Sequence, residues 1–330
     1  MSTYYGIFGG RVNYVSSDPS NPITGQVWYN YTSAALKVRA VSTVGTVASG
    51  GNVNSARAHL SGAGTQTAAF IAGGDQPGGS GTQSITELYN GTSWTSNPTG
   101  LGTGKRFVVG TGTQTAGMAA TGYNGSSYTA TVETFNGTSW SPSPNMNNAR
   151  SAGGMAGPNT ATLYYGGEPG TTSLSEKYNG TSWTSTPQLN TGRYYMGGMG
   201  GAGSNTAALA YGGSTPPSTQ TELWNGTSWT NNPTGLNTGG QQISGGGTQT
   251  SLVALGGDGR GSNIEIWNGT TWTSNPNSLS TGRRAAATSG FGNSSDSMTA
   301  TGYNPSPSVT SATEEYTGPG VAQTKTVTVT

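Results

Sequence analysis

This chain is short of charge. Only 8% of its 330 residues are Asp, Glu, Lys or Arg, against roughly 25% in ordinary globular proteins. Thirteen basic residues against 12 acidic ones leave a formal net charge of +1, so no attraction to nucleic acid or to an anionic membrane surface is expected. Cysteine is absent, which excludes a disulfide framework, thiol catalysis and cysteine-ligated metal. His59 is the one histidine, and no oriented partner is marked for it, so a His-based triad is not expected. No stretch approaches the roughly 20 apolar residues of a membrane span. The opening Met1-Ser-Thr-Tyr-Tyr-Gly6 lacks the basic start and apolar run of a secretory signal. The expectation is a soluble chain made in a cytoplasm, leaving the cell only by lysis or within a particle.

Glycine (57 residues), Ser, Thr and Asn fill the space that charge leaves. That composition alone would suit a flexible linker or a disordered chain. Eight Trp, 16 Tyr and 5 Phe, many of them at regular intervals, argue against it. The phrase Asn-Gly-Thr-Ser-Trp stands at 90–94, 136–140, 179–183 and 225–229, and as Asn-Gly-Thr-Thr-Trp at 268–272. The tryptophans Trp94, Trp140, Trp183, Trp229 and Trp272 are spaced 46, 43, 46 and 43 residues apart. A period of this size signals a repeat architecture rather than two or three separate domains.

Each repeat reads as four short strands. In residues 105–141, Lys105-Arg-Phe-Val-Val109 and Ala116-Gly-Met-Ala-Ala-Thr-Gly122 flank the turn Gly112-Thr-Gln-Thr115. Thr129-Ala-Thr-Val-Glu-Thr-Phe135 follows a polar loop, and Asn136-Gly137 reads as a two-residue type I′ hairpin turn before Trp140. Four strands per repeat is the pattern of a β-propeller blade. Gly-Gly or Thr-Gly pairs close the second strand six times. Glu-x-aromatic opens the hairpin six times, at Glu87, Glu133, Glu176, Glu222, Glu265 and Glu314. These six are half of all acidic residues, and five arginines (Arg57, Arg106, Arg150, Arg193, Arg283) form a matching column. A structural ring of Glu–Arg pairs or Glu–backbone bonds is expected, since a catalytic acid has no reason to recur six times.

The glycine pair, the spaced Tyr, the Trp and the following Leu or Met with its Arg together resemble the kelch repeat across residues 44–320. The resemblance implies an all-β, six-bladed kelch-like β-propeller. Two departures stand out: Gly240-Gln241 replaces the Arg of the fifth repeat, and the sixth has no Trp after Tyr316. Residues 45–57 align with 138–150 without a gap, placing Val47 at the Trp position, Val53 at the Met position and Arg57 at the Arg position. Residues 44–50 are therefore expected to complete the last blade, which protects its edge. Kelch-like copper oxidases resembling galactose oxidase need histidine ligands and a Tyr–Cys crosslink, which this chain cannot supply. No catalytic residue, cofactor or metal site is expected, although Asp75, Glu168, Asp258 and Asp296 lie in or near loops that could hold Ca²⁺ only if they converged.

Between the repeats, one set of loops varies while the opposite turns hardly change. Loops on a rigid scaffold are where recognition concentrates, so the candidate binding residues are Asp75, Gln76, Tyr123, Tyr128, Glu168, Asp258, Arg260 and Asn304. Residues 1–43 fall outside the repeat and read as a small hairpin around Trp28, Tyr29 and Arg39, a candidate docking segment. Residues 321–330 read as an exposed strand-like tail. Tyr5-Gly-Ile-Phe-Gly-Gly10, Ser16-Ser-Asp-Pro-Ser-Asn-Pro22 and Gly25-Gln-Val-Trp-Tyr-Asn30, followed by the repeats, resemble the kelch-like virion proteins of marine tailed bacteriophages. That resemblance implies a non-enzymatic virion protein: a tail fibre, tail appendage or head decoration. Its partners would be other virion proteins and a host surface glycan or protein, and it could form homo-oligomers on the particle. The alternative is an intracellular kelch-type protein-binding scaffold.

Overall fold

The computed structural model describes residues 12–42, 44–76, 78, 81–197, 203–214, 218–289, 294–306, 308–320 and 322–327. The leader 5–10 and parts of the variable loops, including Pro77, residues 215–217 and Pro307, lie outside them. Among the described residues every regular element is a β-strand. The chain divides into two units, Met1–Thr46 with Gly318–Thr330, and Val47–Thr317.

In the smaller unit, Val27–Asn30 and Ala35–Val41 form the expected hairpin. Asn13–Val15 lies parallel to the first of these strands, and Ala322–Thr326 pairs antiparallel with the second. The two chain ends, read from the sequence as a separate leader and an exposed tail, thus share one sheet. Alternation in the tail gave strand character without naming its partner. Trp28 is fully buried, and its indole N–H donates to Asp18 Oδ1 at 3.0 Å. It is an internal anchor, which corrects its assignment to a docking surface; Tyr29 and Arg39 are half-buried. Asn30 and Lys37 also donate to Asp18, at 2.8 and 2.6 Å. The Asn30 bond, followed by those from Lys37 and Trp28, holds this carboxyl down at about 2.

Among the described residues, the larger unit contains six small antiparallel sheets of three or four strands, compatible with a propeller. In the first, Ser61–Thr65, Ala68–Ala72, Thr86–Tyr89 and Trp94–Asn97 pair in chain order. The sixth contains Ala287–Ser289, Asp296–Ala300 and Thr313–Thr317, with Thr46–Gly50 beside the last of them. Val47 packs against the apolar cluster that contains Tyr316, and Val53 N–H donates to Ser311 O at 2.9 Å. The early segment therefore occupies the fourth-strand position that the alignment of 45–57 with 138–150 assigns to it.

The Asn-Gly phrases form a different turn from the one expected. Tyr89 pairs directly with Trp94, so Asn90-Gly-Thr-Ser93 is a four-residue loop. Only Gly91 there takes positive φ, at 92°. The Asn90 side-chain oxygen accepts from the backbone N–H of Thr92 and Ser93 at 3.0 and 2.9 Å, an Asx turn that dispenses with a type I′ geometry. The same bonds recur at Asn136, Asn179, Asn225 and Asn268.

Trp94, Trp183, Trp229 and Trp272 are buried, while Trp140 is half-buried. Each such ring can hide on the order of 200 Å², worth roughly 5 kcal/mol as an upper bound. The indole N–H then reaches an adjacent sheet. Trp94 donates to Thr313 Oγ1 at 2.9 Å, Trp140 to Thr86 Oγ1 at 2.8 Å and Trp272 to Thr221 Oγ1 at 3.0 Å. Gln114 and Gln249, in the Gly-Thr-Gln-Thr turns, each cap two backbone carbonyls of the sheet before their own. Gln66 does the same to Ser297 and Tyr316, linking the first sheet to the sixth.

All six repeated glutamates are buried and paired with a cation. Arg57–Glu87 closes at 2.5 Å, Arg150–Glu176 and Arg193–Glu222 at 2.8 Å, and Arg283 meets Glu314. In the second repeat the partner of Glu133 is Lys105, at 3.0 Å, not Arg106. In the fifth, Arg260 pairs with Glu265 at 2.5 Å and is itself buried. Arg260 is thus a structural substitute for the arginine missing at 240, and not part of a binding surface. Burial lowers the pKa of Arg57, Lys105, Arg150, Arg193 and Arg283, opposed in each case by the glutamate partner.

Candidate functional site

Two residues after each cation position the backbone turns into the left-handed region. His59, Phe107, Ala152, Tyr195, Gln242 and Ala285 all have φ between 53° and 55°. None is glycine, so each such turn costs on the order of 1 kcal/mol. The geometry lets their peptide groups join head to tail. Phe107 N–H donates to His59 O at 2.7 Å, Ala152 to Phe107 at 3.0 Å and Tyr195 to Ala152 at 2.8 Å. Gln242 donates to Tyr195 at 2.7 Å, Ala285 to Gln242 at 3.3 Å and His59 to Ala285 at 2.9 Å. These six bonds form a closed cycle.

The residue before each cycle member bridges to the loop after the second strand of its sheet. The pairs are Ala58 with Asp75, Arg106 with Tyr123, Ser151 with Glu168, Tyr194 with Ser214, Gln241 with Asp258, and Arg284 with Tyr303. A repeated backbone thereby sets six unlike pairs of side chains around one ring. Asp75, Tyr123, Glu168 and Asp258 from the variable loops all belong to this collar.

Within the cycle, the rings of His59 and Phe107 lie 4.2 Å apart, Phe107 and Tyr195 5.3 Å, and His59 and Tyr195 6.5 Å. His59 Nδ1 is 3.1 Å from Asp75 Oδ1, and its Nε2 is 3.2 Å from the Gln242 amide nitrogen. Asp75 is buried and also lies 3.6 Å from Arg106. The Arg106 guanidinium sits 5.3 Å from the centres of both Phe107 and Tyr123. Tyr128 donates to Glu168 at 3.3 Å and packs edge-on to Tyr123. Asp258 accepts from Gln241 and Arg284, each at 2.9 Å.

Burial pushes the Glu168 carboxyl up, against the pull of its Tyr128 bond. It raises the phenols of Tyr128, Tyr195 and Tyr303 as well, with nearby carboxylates adding to the effect. For Asp258, burial acts upward, but the Gln241 and Arg284 bonds prevail and its pKa falls. The carboxyls of Glu168 and Asp258 are thus shifted in opposite directions, although no group of three His, Cys, Asp or Glu side chains fit to hold a metal ion exists among the described residues.

The remaining candidates fall outside the collar contacts. Gln76 is exposed, and Asn304 uses its side-chain oxygen to accept from the backbone N–H of Ser306 and Ser308 at 3.0 and 3.2 Å, within its own loop. Reasoning from the loops missed the cycle residues His59, Phe107 and Tyr195, and gave Arg106 to the structural column. The signal was available: all six cycle members stand two places after residues 57, 105, 150, 193, 240 and 283. No protein-family model matches the chain, and no curated protein matches it.

Proposed function

We propose that residues 47–317 are a six-bladed kelch-like β-propeller, closed by the strand Thr46–Gly50, and that the chain is a non-enzymatic interaction protein of a bacteriophage virion. Closure is supported by the six-membered peptide cycle and by the contacts of Trp94 and Gln66 with the sixth sheet. In this reading the collar recognises a host surface ligand or a neighbouring virion protein, and the terminal sheet, with Tyr29 and Arg39, docks to the particle.

The observation that carries the recognition role is the collar itself. A chain with 8% charged residues gathers Asp75, Arg106, Glu168, Asp258 and Arg284 among tyrosines at the one place where its repeats differ most. A binding role, rather than catalysis, is favoured because both nitrogens of His59 face fixed partners, Asp75 and Gln242. Virion origin rests on the leader and its resemblance to phage kelch-like proteins.

Mass spectrometry of purified virions from a phage carrying the gene tests the reading. Peptides of this chain at structural-protein abundance are expected. Their absence from virions, with abundant chain in the infected-cell lysate, would overturn it in favour of an intracellular scaffold.

A further inference from the structure

The collar differs from a general sticky surface in one respect: its charged groups already have partners within the protein. Asp75 faces Arg106 and His59, Asp258 holds Arg284 at 2.9 Å, and Glu168 accepts from Tyr128. An anionic or cationic ligand would have to compete with one of these internal partners. A neutral ligand rich in hydroxyls would not. A carboxylate has about four acceptor sites and a guanidinium five donors, and the Asp258–Arg284 pair, with side chains 37% and 40% exposed, is open to further bonds. Hydrogen bonds to ionised groups are also the stronger kind.

Apolar contact is provided separately. His59, Phe107 and Tyr195 form an aromatic floor at the peptide cycle, and Tyr303 continues it, 5.4 Å from His59. Beyond Tyr303 lies a cleft of about 290 Å³ lined by Asp258, Arg284 and Asn304 among glycine backbone. That is near the lower end of small-ligand sites, roughly 300 to 1,000 Å³. Aromatic rings with planar polar groups at their edges suit a pyranose, which has an apolar C–H face and a rim of hydroxyls.

We propose that this site binds a neutral oligosaccharide, lying on the floor of His59, Phe107 and Tyr195 and passing over Tyr303 into the cleft between Asp258 and Asn304. The inference deepens the recognition role proposed above and rests on it.

Calorimetric titration of the full chain with maltohexaose, cellohexaose, xylohexaose and mannohexaose, beside an array of neutral and anionic glycans, tests it. Saturable binding to at least one neutral sugar is expected, unchanged between about 50 and about 500 mM salt, since no net charge is neutralised. Tyr303→Ala should weaken it at least about tenfold, Tyr303→Phe should keep most of it, and Thr181→Ala, in an exposed Asn-Gly turn, should leave it intact. Tyr195→Ala provides a second test at the floor. Binding confined to anionic glycans, or lost steeply with salt, would overturn the proposal. So would failure of every neutral glycan with the folded parent, or a folded Tyr303→Ala that binds normally. Virion mass spectrometry is judged separately: chain present in virions but no sugar bound sinks this inference alone, and sugar bound by a chain absent from virions sinks only the virion reading.

Discussion

Arg260 occupies the space that Gly240 leaves open, and from there it forms the 2.5 Å ion pair with Glu265. A Cβ at Gly240 would overlap the aliphatic stem of Arg260 and press on the Asp258 carbonyl. The pairing column of the fifth repeat is thus preserved by a cation from another position. Gly240→Ala is expected to destabilise the fold by about 1 to 3 kcal/mol through overpacking. Arg260→Ala leaves Glu265 buried without its cation and should cost about 3 to 5 kcal/mol. Denaturant unfolding checks both, and the double variant Arg260→Met, Glu265→Met should recover only part of the loss, because the backbone N–H groups of Asn237 and Thr238 also lose Glu265 as acceptor.

The phenol of Tyr89, in the first sheet, donates to Glu315 of the sixth at 2.5 Å. Burial, with Glu315 adding to it, raises Tyr89 from 10.0 to about 12. A raised folded-state pKa means that the native protein keeps a proton the unfolded chain has lost. This contribution is complete below pH 10 and disappears as pH rises through about 12. Melting temperature should fall across that window, and Tyr89→Phe should flatten this part of the profile while lowering stability at neutral pH by about 1 kcal/mol.

Acid acts on the smaller unit with the opposite sign. Asp18 is depressed from 3.8 to about 2, so its bonds to Asn30, Lys37 and Trp28 contribute above pH 3.8 and are lost as pH falls through about 2. Fluorescence of Trp28 should report this change, and Asp18→Asn should remove it.

The sequence made the strand periodicity legible because each repeat restates it: Trp94 to Trp272 mark one strand, and Glu87 to Glu314 another. The position of Thr46–Gly50 was readable because 45–57 carries the same spacing with Val47 in place of Trp. Other features depend on what meets across the fold. Arg260 lies 20 residues beyond Gly240, and nothing local announces that it fills the vacancy. Lys105 and Arg106 are adjacent cations, and only the placement of one inside and one at the collar distinguishes their roles. The Asn-Gly turns were located correctly but mis-typed, because the side chain of Asn90 supplies bonds that a shorter turn would take from backbone.

The glutamine staples distinguish a linked seam from a loose one. Gln66 donates to Ser297 and Tyr316 across the junction of the first and sixth sheets, as Gln114 and Gln249 do within the series. Gln66→Ala leaves two carbonyls without that donor and should cost about 1 to 2 kcal/mol. Backbone hydrogen exchange should quicken in Asp296–Ala300 and Thr313–Thr317, while the third sheet, Gly154–Thr186, stays unchanged.

An experimental density map of the larger unit tests the central claim most directly. Six sectors are predicted around a cycle formed by the peptides of His59, Phe107, Ala152, Tyr195, Gln242 and Ala285, with Val47 beside Tyr316. Five or seven sectors, or a cycle broken between Ala285 and His59, would contradict the account.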